Sequence, residues 1–450
     1  MNETGIDSRG KMVNAFDPET AQTLDAETRA MIDRRARLLG PAYRLFYAEP
    51  VRVSRGEGVH LYDPEGNDYL DAYNNVVSVG HANPRVVEAV HRQMATLCTH
   101  TRYLQDGILD YAEDLLGSFG GRIGAGGHLM FTCTGSEAND LALRIARHAT
   151  GRRGVVITAE AYHGNSFLVS GISPSLGTGS PLGPWVRRVP APDSYRLPPA
   201  EIGRRMAEAV AAAIADLERH GDGLSAFIAD SLFSSDGIFA HPADVLAPVA
   251  EVVRRAGGLY IADEVQAGFA RSGDAFWGFM RHGLDPDIVT MGKPMGNGYP
   301  VAAVAAIPEV LERFGRDTRY FNTFGGNSVA IAAARATLDV IRGDDLLGNA
   351  ARVGAAIRDD LRALAKRHPG IGDVRGTGLY IGVEMVRDRD ARTPDPAAAA
   401  AAVNGLRRRR VLISATGPNA NVLKIRPPLV FSAADADRLL AELDAVLSGR

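Results

Sequence analysis

The sequence has few lysines, few cysteines and no long apolar run. Only four of its 50 basic residues are lysines, and only two of its 450 residues are cysteines. Low cysteine usage is typical of reducing compartments, so we expect a cytoplasmic protein. No apolar run approaches the ~20 residues of a membrane span, which predicts no association with a membrane. The first thirty residues are acidic and lack the apolar core of a secretory signal.

The sequence also lacks a large excess of charge of either sign. With a net charge of −3, the chain lacks the excess of basic residues that is typical of nucleic-acid-binding proteins, so we expect no nucleic-acid partner. One basic block, Arg407 to Arg410, follows an alanine-rich helical stretch and is better interpreted as a solvated helix end than as a binding patch. Because lysines are so few, any lysine chemistry must use Lys11, Lys293, Lys366 or Lys424. We expect the first and third of these at the surface.

The middle of the chain alternates short apolar runs with amphipathic helices. The apolar runs occupy residues 129–132, 155–158, 226–229, 259–262 and 288–290. Strands separated by helices indicate an α/β fold with a mostly parallel sheet. After Gly326 the pattern changes to long helices with a few strands, which predicts a smaller α+β domain. We therefore predict an N-terminal segment (1–83), a large domain (84–326) and a small domain (327–450).

In open parallel sheets, ligands bind beyond the carboxyl ends of the strands, so the residues after each apolar run are informative. Gly135 and Ser136 follow the first run, where small residues at the start of a helix can hold a phosphate. Alone, this segment is weak evidence for an anion site, because Ser136 could be a plain N-cap instead. Tyr162 and His163 follow the second run, although ordinary loop residues would produce the same pattern.

The next two strand ends carry an acid and a lysine. Asp263 leaves an apolar strand, where a carboxylate needs a cation or a metal; no His-rich or Cys-rich set accompanies it, so we predict no metal site. Lys293 lies between glycines at a strand end, where desolvation lowers an amine pKa and favours Schiff-base formation, although a loop lysine reaching solvent is the simpler alternative. Together, the four strand ends supply the groups that pyridoxal 5′-phosphate requires.

With these motifs, the sequence resembles the class III (ω-amino acid) aminotransferases of fold type I, from about Leu45 to Val446. The resemblance implies a seven-stranded, mostly parallel sheet flanked by helices. It also implies specific roles: Gly135 and Ser136 hold the cofactor phosphate, Tyr162 stacks on the ring, Asp263 pairs with the ring nitrogen, Gln266 lies near the ring hydroxyl and Lys293 binds the cofactor. Thr323 would reach the cofactor of a second subunit, which implies a homodimer with shared active sites.

Within the class, the chain is similar to the ethanolamine-phosphate phospho-lyases and the alanine-glyoxylate-type aminotransferases. The stretches that carry this similarity include Asn74-Asn75-Val76 and Lys424-Ile425-Arg426-Pro427-Pro428. We predict a phospho-lyase that acts on O-phosphoethanolamine, with an aminotransferase that uses pyruvate or glyoxylate as the alternative. A cofactor-binding regulator without activity is disfavoured, because Lys293 and Asp263 are both present. The candidates for binding the substrate anion are Arg102, Arg271, Lys424 and Arg426.

For three of these residues the alternative interpretations stay open. Arg271 could equally be a structural ion-pair partner. His163 is better interpreted as a hydrogen-bonding support than as a catalytic acid. An arginine at position 426 suits the carboxylate of a keto acid as well as a phosphate, so it leaves both reactions possible.

Overall fold

The computed structural model describes residues 12–449, so Lys11 lies outside the described residues. Its strands are β1 (Arg55–Glu57), β2 (His60–Tyr62), β3 (Asp68–Asp71), β4 (His128–Thr132), β5 (Gly154–Thr158), β6 (Val186–Val189), β7 (Leu224–Asp230), β8 (Leu259–Asp263), β9 (Ile288–Met291), β10 (Ala302–Ala306), β11 (Ile371–Thr377), β12 (Tyr380–Asp388), β13 (Thr393–Pro394), β14 (Val411–Leu412), β15 (Ser414–Thr416) and β16 (Val422–Ile425).

The α-helices are spread along the whole of the described chain. They are α1 (Ala26–Leu39), α2 (Pro84–Thr96), α3 (Asp106–Gly117), α4 (Gly121–Gly126), α5 (Gly135–Thr150), α6 (Phe167–Ser170), α7 (Pro199–Arg219), α8 (Ala247–Arg255), α9 (Pro308–Asp317), α10 (Ser328–Gly343), α11 (Leu346–Arg367), α12 (Pro396–Arg408) and α13 (Ala433–Leu447). Within these described residues, no helix is long and apolar enough to cross a membrane.

A seven-stranded sheet forms the centre of the large domain, in the order β4-β10-β9-β8-β7-β5-β6. β10 pairs antiparallel with both β4 and β9, and the remaining pairs are parallel, so six strands run in one direction. The five strands predicted from apolar runs all belong to this sheet. The side chains of β5, β7, β8 and β9 are almost all buried, as expected for strands covered by helices on both faces, whereas β4 at the edge of the sheet is only partly buried.

The N-terminal segment joins the C-terminal part of the chain. β1, β2 and β3 form an antiparallel sheet, to which β14 adds through a parallel pairing of Leu70 with Val411 and of Asp71 with Leu412. A second sheet, β11-β12-β16-β15, lies in the small domain. The boundary at residue 326 stays a prediction; α10, which follows it, packs against α2 and α3 of the large domain.

The basic block 407–410 lies at the end of α12, as predicted, but it is more than a solvated helix end. Arg407 forms an ion pair with Glu49 at 2.9 Å, and Arg409 forms one with Glu442 at 2.7 Å. These pairs connect α12 to the N-terminal segment and to α13. The block therefore holds elements of the fold together.

Candidate active site

A pocket lies where the parallel strands of the large sheet end. It is lined by Thr134, Gly135, Ser136, Asn139, Tyr162, His163, Gly164, Asp230, Asp263, Val265, Gln266 and Lys293. The structure therefore brings together residues from all four strand ends that the sequence singled out. They meet because β4, β5, β8 and β9 run in the same direction in one sheet.

One wall of the pocket is the start of α5. The N-cap is Thr134, whose side chain accepts a hydrogen bond from Glu137 N at 3.1 Å, so the alternative of Ser136 as the N-cap is wrong. Ser136 Oγ instead accepts from Asn165 N at 3.1 Å. Gly164 has φ 140°, and a Cβ there would collide with Ser136. The free N–H groups of a 16-residue helix and the close loop form a cradle for an anion.

Asp263 is buried at the end of β8 and is held from several sides. Its Oδ2 accepts from His163 Nδ1 at 2.6 Å and from Asn139 Nδ2 at 2.9 Å, while Oδ1 accepts from Val265 N at 3.1 Å. His163 Nε2 is buried and has no partner among the described residues. His163 thus supports the carboxylate, as the sequence favoured.

Asn139 and Thr290 are site residues to which the sequence patterns assigned no role. Asn139 lies one helical turn after Gly135, and its Oδ1 accepts from Thr290 Oγ1 at 2.6 Å. Thr290 is fully buried in β9, three residues before Lys293. A polar residue inside an otherwise apolar strand was the available signal. Together they fix the orientation of the Asn139 amide that donates to Asp263.

Lys293 begins the single 3₁₀ turn that follows β9 and remains partly accessible from the pocket. Desolvation by the surrounding protein, together with the positive charge of Arg426, lowers the pKa of its ammonium group to about 8. At pH 7, about one tenth of this amine is therefore in the nucleophilic, unprotonated form, far more than for a lysine with the ordinary pKa of about 10.4. This is the state that attacks an aldehyde.

Tyr162 and Gln266 complete the pocket. Tyr162 lies at the exposed rim, and burial of part of its ring raises the pKa of its phenol. Gln266 is buried, and its Oε1 accepts from Tyr380 OH at 3.1 Å and from the Arg426 guanidinium. Gln266 thereby connects the large domain to the small domain, from which both donors come.

The remaining predicted residues have different positions. Lys424 and Arg426 are buried at the end of β16, on the side of Gln266. Arg271 is buried and donates to the backbone oxygens of Leu379 and Pro427. Burial lowers the pKa of Arg271 to about 9. These contacts favour a structural role for Arg271, although its partners are backbone carbonyls and not the carboxylate of an ion pair.

Arg102 and Thr323 do not line the Lys293 pocket of this chain. The Arg102 guanidinium lies 3.6 Å above the ring centre of Phe321, two residues before Thr323, and all three residues are exposed. Lys366 is also exposed, as expected. Within residues 12–449, no group of three His, Cys, Asp or Glu side chains could hold a metal ion.

Comparison with known proteins places this site in a family. The family profile "Aminotransferase class-III" matches residues 46–447. The chain belongs to the class III aminotransferase family. It is 38% identical to a Caenorhabditis elegans protein named ethanolamine-phosphate phospho-lyase homolog 1, over 96% of each chain. It is 40% identical to a Drosophila melanogaster protein named alanine-glyoxylate aminotransferase 2-like, over 89% of this chain and 83% of the relative.

A solved structure supports the same assignment. An Arthrobacter phospholyase in complex with phosphoethanolamine superposes with a TM-score of 0.90 and 43% identity, over 93% of this chain and 100% of that chain. The fold is therefore that of the fold type I enzymes, with the seven-stranded sheet and the smaller domain that the resemblance implied. As a class III aminotransferase family member, the protein is an enzyme that uses pyridoxal 5′-phosphate.

The residues of the pocket fit this cofactor. The α5 cradle suits its phosphate, the buried Asp263 suits a protonated ring nitrogen, and the low-pKa amine of Lys293 suits its aldehyde. The unpaired, buried Nε2 of His163 is a polar atom of this pocket that a bound group could satisfy. Which residue holds which part of the cofactor stays a prediction.

Proposed function

We propose that this class III enzyme is a phospho-lyase that converts O-phosphoethanolamine and water into acetaldehyde, ammonia and phosphate. The observation that carries the proposal is a group of buried cations beside the Lys293 pocket that have no carboxylate partner. The similarity to a phospholyase crystallised with phosphoethanolamine supports it. The cations favour an anionic substrate independently of that similarity.

Lys424 lies in β16, and Arg426 directly follows the last residue of that strand, Ile425. Lys424 Nζ donates to Ser234 O at 3.3 Å and lies 5.6 Å from the ring centre of Tyr380. Arg426 lies over the ring of Tyr73 and bonds to Gln266. Within residues 12–449, neither forms an ion pair with a carboxylate.

Buried cations without a counter-ion are costly, because their hydration is lost and nothing replaces it. Burial, assisted by the charge of Arg426, lowers the pKa of Lys424 well below its usual value. An anionic substrate group would supply the missing counter-charge and restore the ammonium form. Two adjacent cations suit the double charge of a phosphate ester better than the single charge of a carboxylate.

In the proposed reaction, the pocket residues and the two cations have different roles. When bound, pyridoxal phosphate supplies a ring that accepts the electrons released at the substrate carbon next to nitrogen. Lys293 takes the proton from that carbon, and Asp263 maintains the positive charge on the ring nitrogen. Lys424 and Arg426 hold the phosphate group and stabilise its negative charge as its bond to the neighbouring carbon breaks.

The alternative is an aminotransferase that uses an amine or amino acid donor and pyruvate or glyoxylate as acceptor. The similarity to the Drosophila protein named alanine-glyoxylate aminotransferase 2-like favours it. In that reaction, Arg426 would bind the carboxylate of the keto acid. The two reactions share the proton transfer by Lys293 and differ only in their later steps.

A single assay separates the two reactions. We expect the purified holoenzyme, incubated with O-phosphoethanolamine and no keto acid, to release inorganic phosphate and acetaldehyde in equal amounts over many turnovers. The reason is that elimination regenerates the cofactor in its original form, whereas transamination consumes it after one turnover. Inorganic phosphate and acetaldehyde are measured in parallel.

The control is the same mixture with pyruvate or glyoxylate added. If products form only with the keto acid, and alanine or glycine appears, the aminotransferase alternative is correct and the lyase proposal is wrong. Substituting ethanolamine for its phosphate ester tests the role of the cations, because ethanolamine lacks the group that they would bind.

We further propose that the enzyme is a homodimer whose active sites are completed at the subunit interface. The surface around Thr323 carries large apolar side chains: Tyr103, Leu104, Phe321 and Phe324 are exposed, and Leu104 is 99% exposed. Large apolar side chains exposed in one region of a surface are typical of an interface. A second copy of the chain would bury them and would bring Thr323 to the partner's cofactor, as the family resemblance implies.

Size-exclusion chromatography with light scattering tests the dimer. We expect the wild-type protein at about twice the mass of one chain, and Leu104→Arg as a less active monomer, because an interface cannot bury an unpaired arginine without a large cost. Val53, also exposed, provides the matched control: Val53→Arg should stay dimeric and active. A monomeric and active wild type would exclude the shared site. The cytoplasmic location stays a prediction that rests on the low cysteine content.

A further inference from the structure

The segment from Ala72 to Ser78 runs between the anion-binding cations and the turn of Lys293. At one end, Arg426 N donates to Ala72 O at 2.9 Å. At the other end, Ser78 Oγ donates to Pro294 O at 3.1 Å, directly after Lys293. The residues in the middle of this segment therefore lie between the two groups on which the proposed reaction depends.

The turn of this segment is held by hydrogen bonds that do not involve Asn75. Asp71 Oδ1 accepts from Tyr73 N at 3.1 Å and from Asn74 N at 2.9 Å. Asn74 Oδ1 accepts from Val76 N at 3.1 Å. The neighbouring amide, Asn74, thus has a structural role, and the turn does not require the side chain of Asn75.

Asn75 is only 1% exposed, and both polar atoms of its amide, Oδ1 and Nδ2, lack a partner among the described residues. Burying an amide without hydrogen bonds is unfavourable, and native proteins seldom do it unless a bound group or a water completes the bonding. Arg426 Nε is a second buried donor without a partner. Arg426 is joined to the segment of Asn75 through Ala72, so an unpaired amide and an unpaired guanidinium Nε beside this segment indicate a missing polar ligand.

We propose that Asn75 is a specificity-determining residue whose Nδ2 donates a hydrogen bond to a phosphoryl oxygen of the substrate. A phosphoryl group has three oxygens, so it can accept from Asn75 while it pairs with Arg426 and Lys424. This inference rests on the proposed function in its choice of a phosphoryl substrate. The free Oδ1 can accept from a protonated phosphoryl oxygen of the same group.

The experiment measures binding of 2-aminoethylphosphonate, which has no carbon–oxygen bond to break, to the holoenzyme through the change in cofactor absorbance. We expect Asn75→Leu to weaken its binding about 10- to 100-fold, the effect of one hydrogen bond to a charged group. Binding of n-propylamine, which has the same length and no phosphonate, should stay unchanged. Because phosphonate binding needs no elimination, it tests Asn75 even if the lyase assay fails.

Stability measurements distinguish this role from a structural one. Because the Asn75 amide is unpaired in the free protein, Asn75→Leu should keep or raise the melting temperature. Ser225→Ala is the matched control: it removes a buried, unpaired hydroxyl from the start of β7 and should leave both ligands' affinities unchanged. Asn75→Ala serves as the second variant should the leucine prevent folding.

Three outcomes would overturn the proposal. The first is an equal loss of affinity for the phosphonate and for n-propylamine, which would make Asn75 a determinant of pocket shape alone. The second is unchanged phosphonate affinity, which would mean that a water molecule satisfies the amide. The third is a wild-type enzyme that binds n-propylamine but not the phosphonate.

Discussion

Replacing Lys293 by alanine should lower turnover by roughly 10⁴-fold, the upper range for a single acid–base side chain. The holoenzyme should at the same time lose the absorption band of the lysine-bound cofactor. Both effects follow from one amine, since Lys293 begins the turn after β9 and has a pKa lowered to about 8. Turnover and the absorption spectrum are measured on the same sample.

The scarcity of lysine makes the control simple. Lys366 lies on the exposed side of α11, so Lys366→Ala should leave both the spectrum and turnover unchanged. An unchanged spectrum in Lys293→Ala would contradict the assignment of Lys293, and Lys424, which is buried, would then be tested in the same way.

The second large effect is expected at Asp263. Asp263→Ala should reduce turnover by roughly 10³-fold, because it removes a fixed charge that stabilises positive charge on the cofactor ring. It also leaves His163 Nδ1 and Asn139 Nδ2 without the acceptor that they share. Steady-state rates with O-phosphoethanolamine measure the loss, and the cofactor spectrum reports the altered ring environment.

A buried carboxylate elsewhere in the chain provides the comparison. Asp63 is buried and accepts from Asn67 N at 2.8 Å, away from the pocket residues. Asp63→Ala should lower the melting temperature and leave turnover per folded molecule unchanged. Equal losses of turnover in the two variants would contradict a specific role for Asp263.

The sequence predicted the fold where periodicity and strand ends were informative. The five apolar runs became strands whose ends lie within two residues of the predicted bounds. β10 was not predicted, because Ala302–Ala306 contains mostly alanine, which favours helix as readily as strand. β6 was also missed, because it is Val-Arg-Arg-Val and carries two charges.

The sequence predicted those site residues that lie at the end of a strand or shortly after it. Gly135, His163, Asp263 and Lys293 lie at or after the ends of four strands that run in the same direction in one sheet, and the topology brings them together. Contacts between domains were not predictable in the same way. The bond from Arg426 to Gln266 depends on how the small domain packs against the large one, and no local pattern encodes that.

The parallel pairing of β3 with β14 has a consequence for the time at which the active site forms. It joins Asp71, which precedes the segment containing Asn75, to Leu412 near the other end of the chain. Contacts between such distant residues form late, because a long loop must close before they contribute. During synthesis, the segment that contains Asn75 therefore cannot dock against Arg426 until nearly the whole chain has left the ribosome. The arginine that we propose for binding the substrate anion consequently reaches its position against Ala72 only when synthesis is nearly complete.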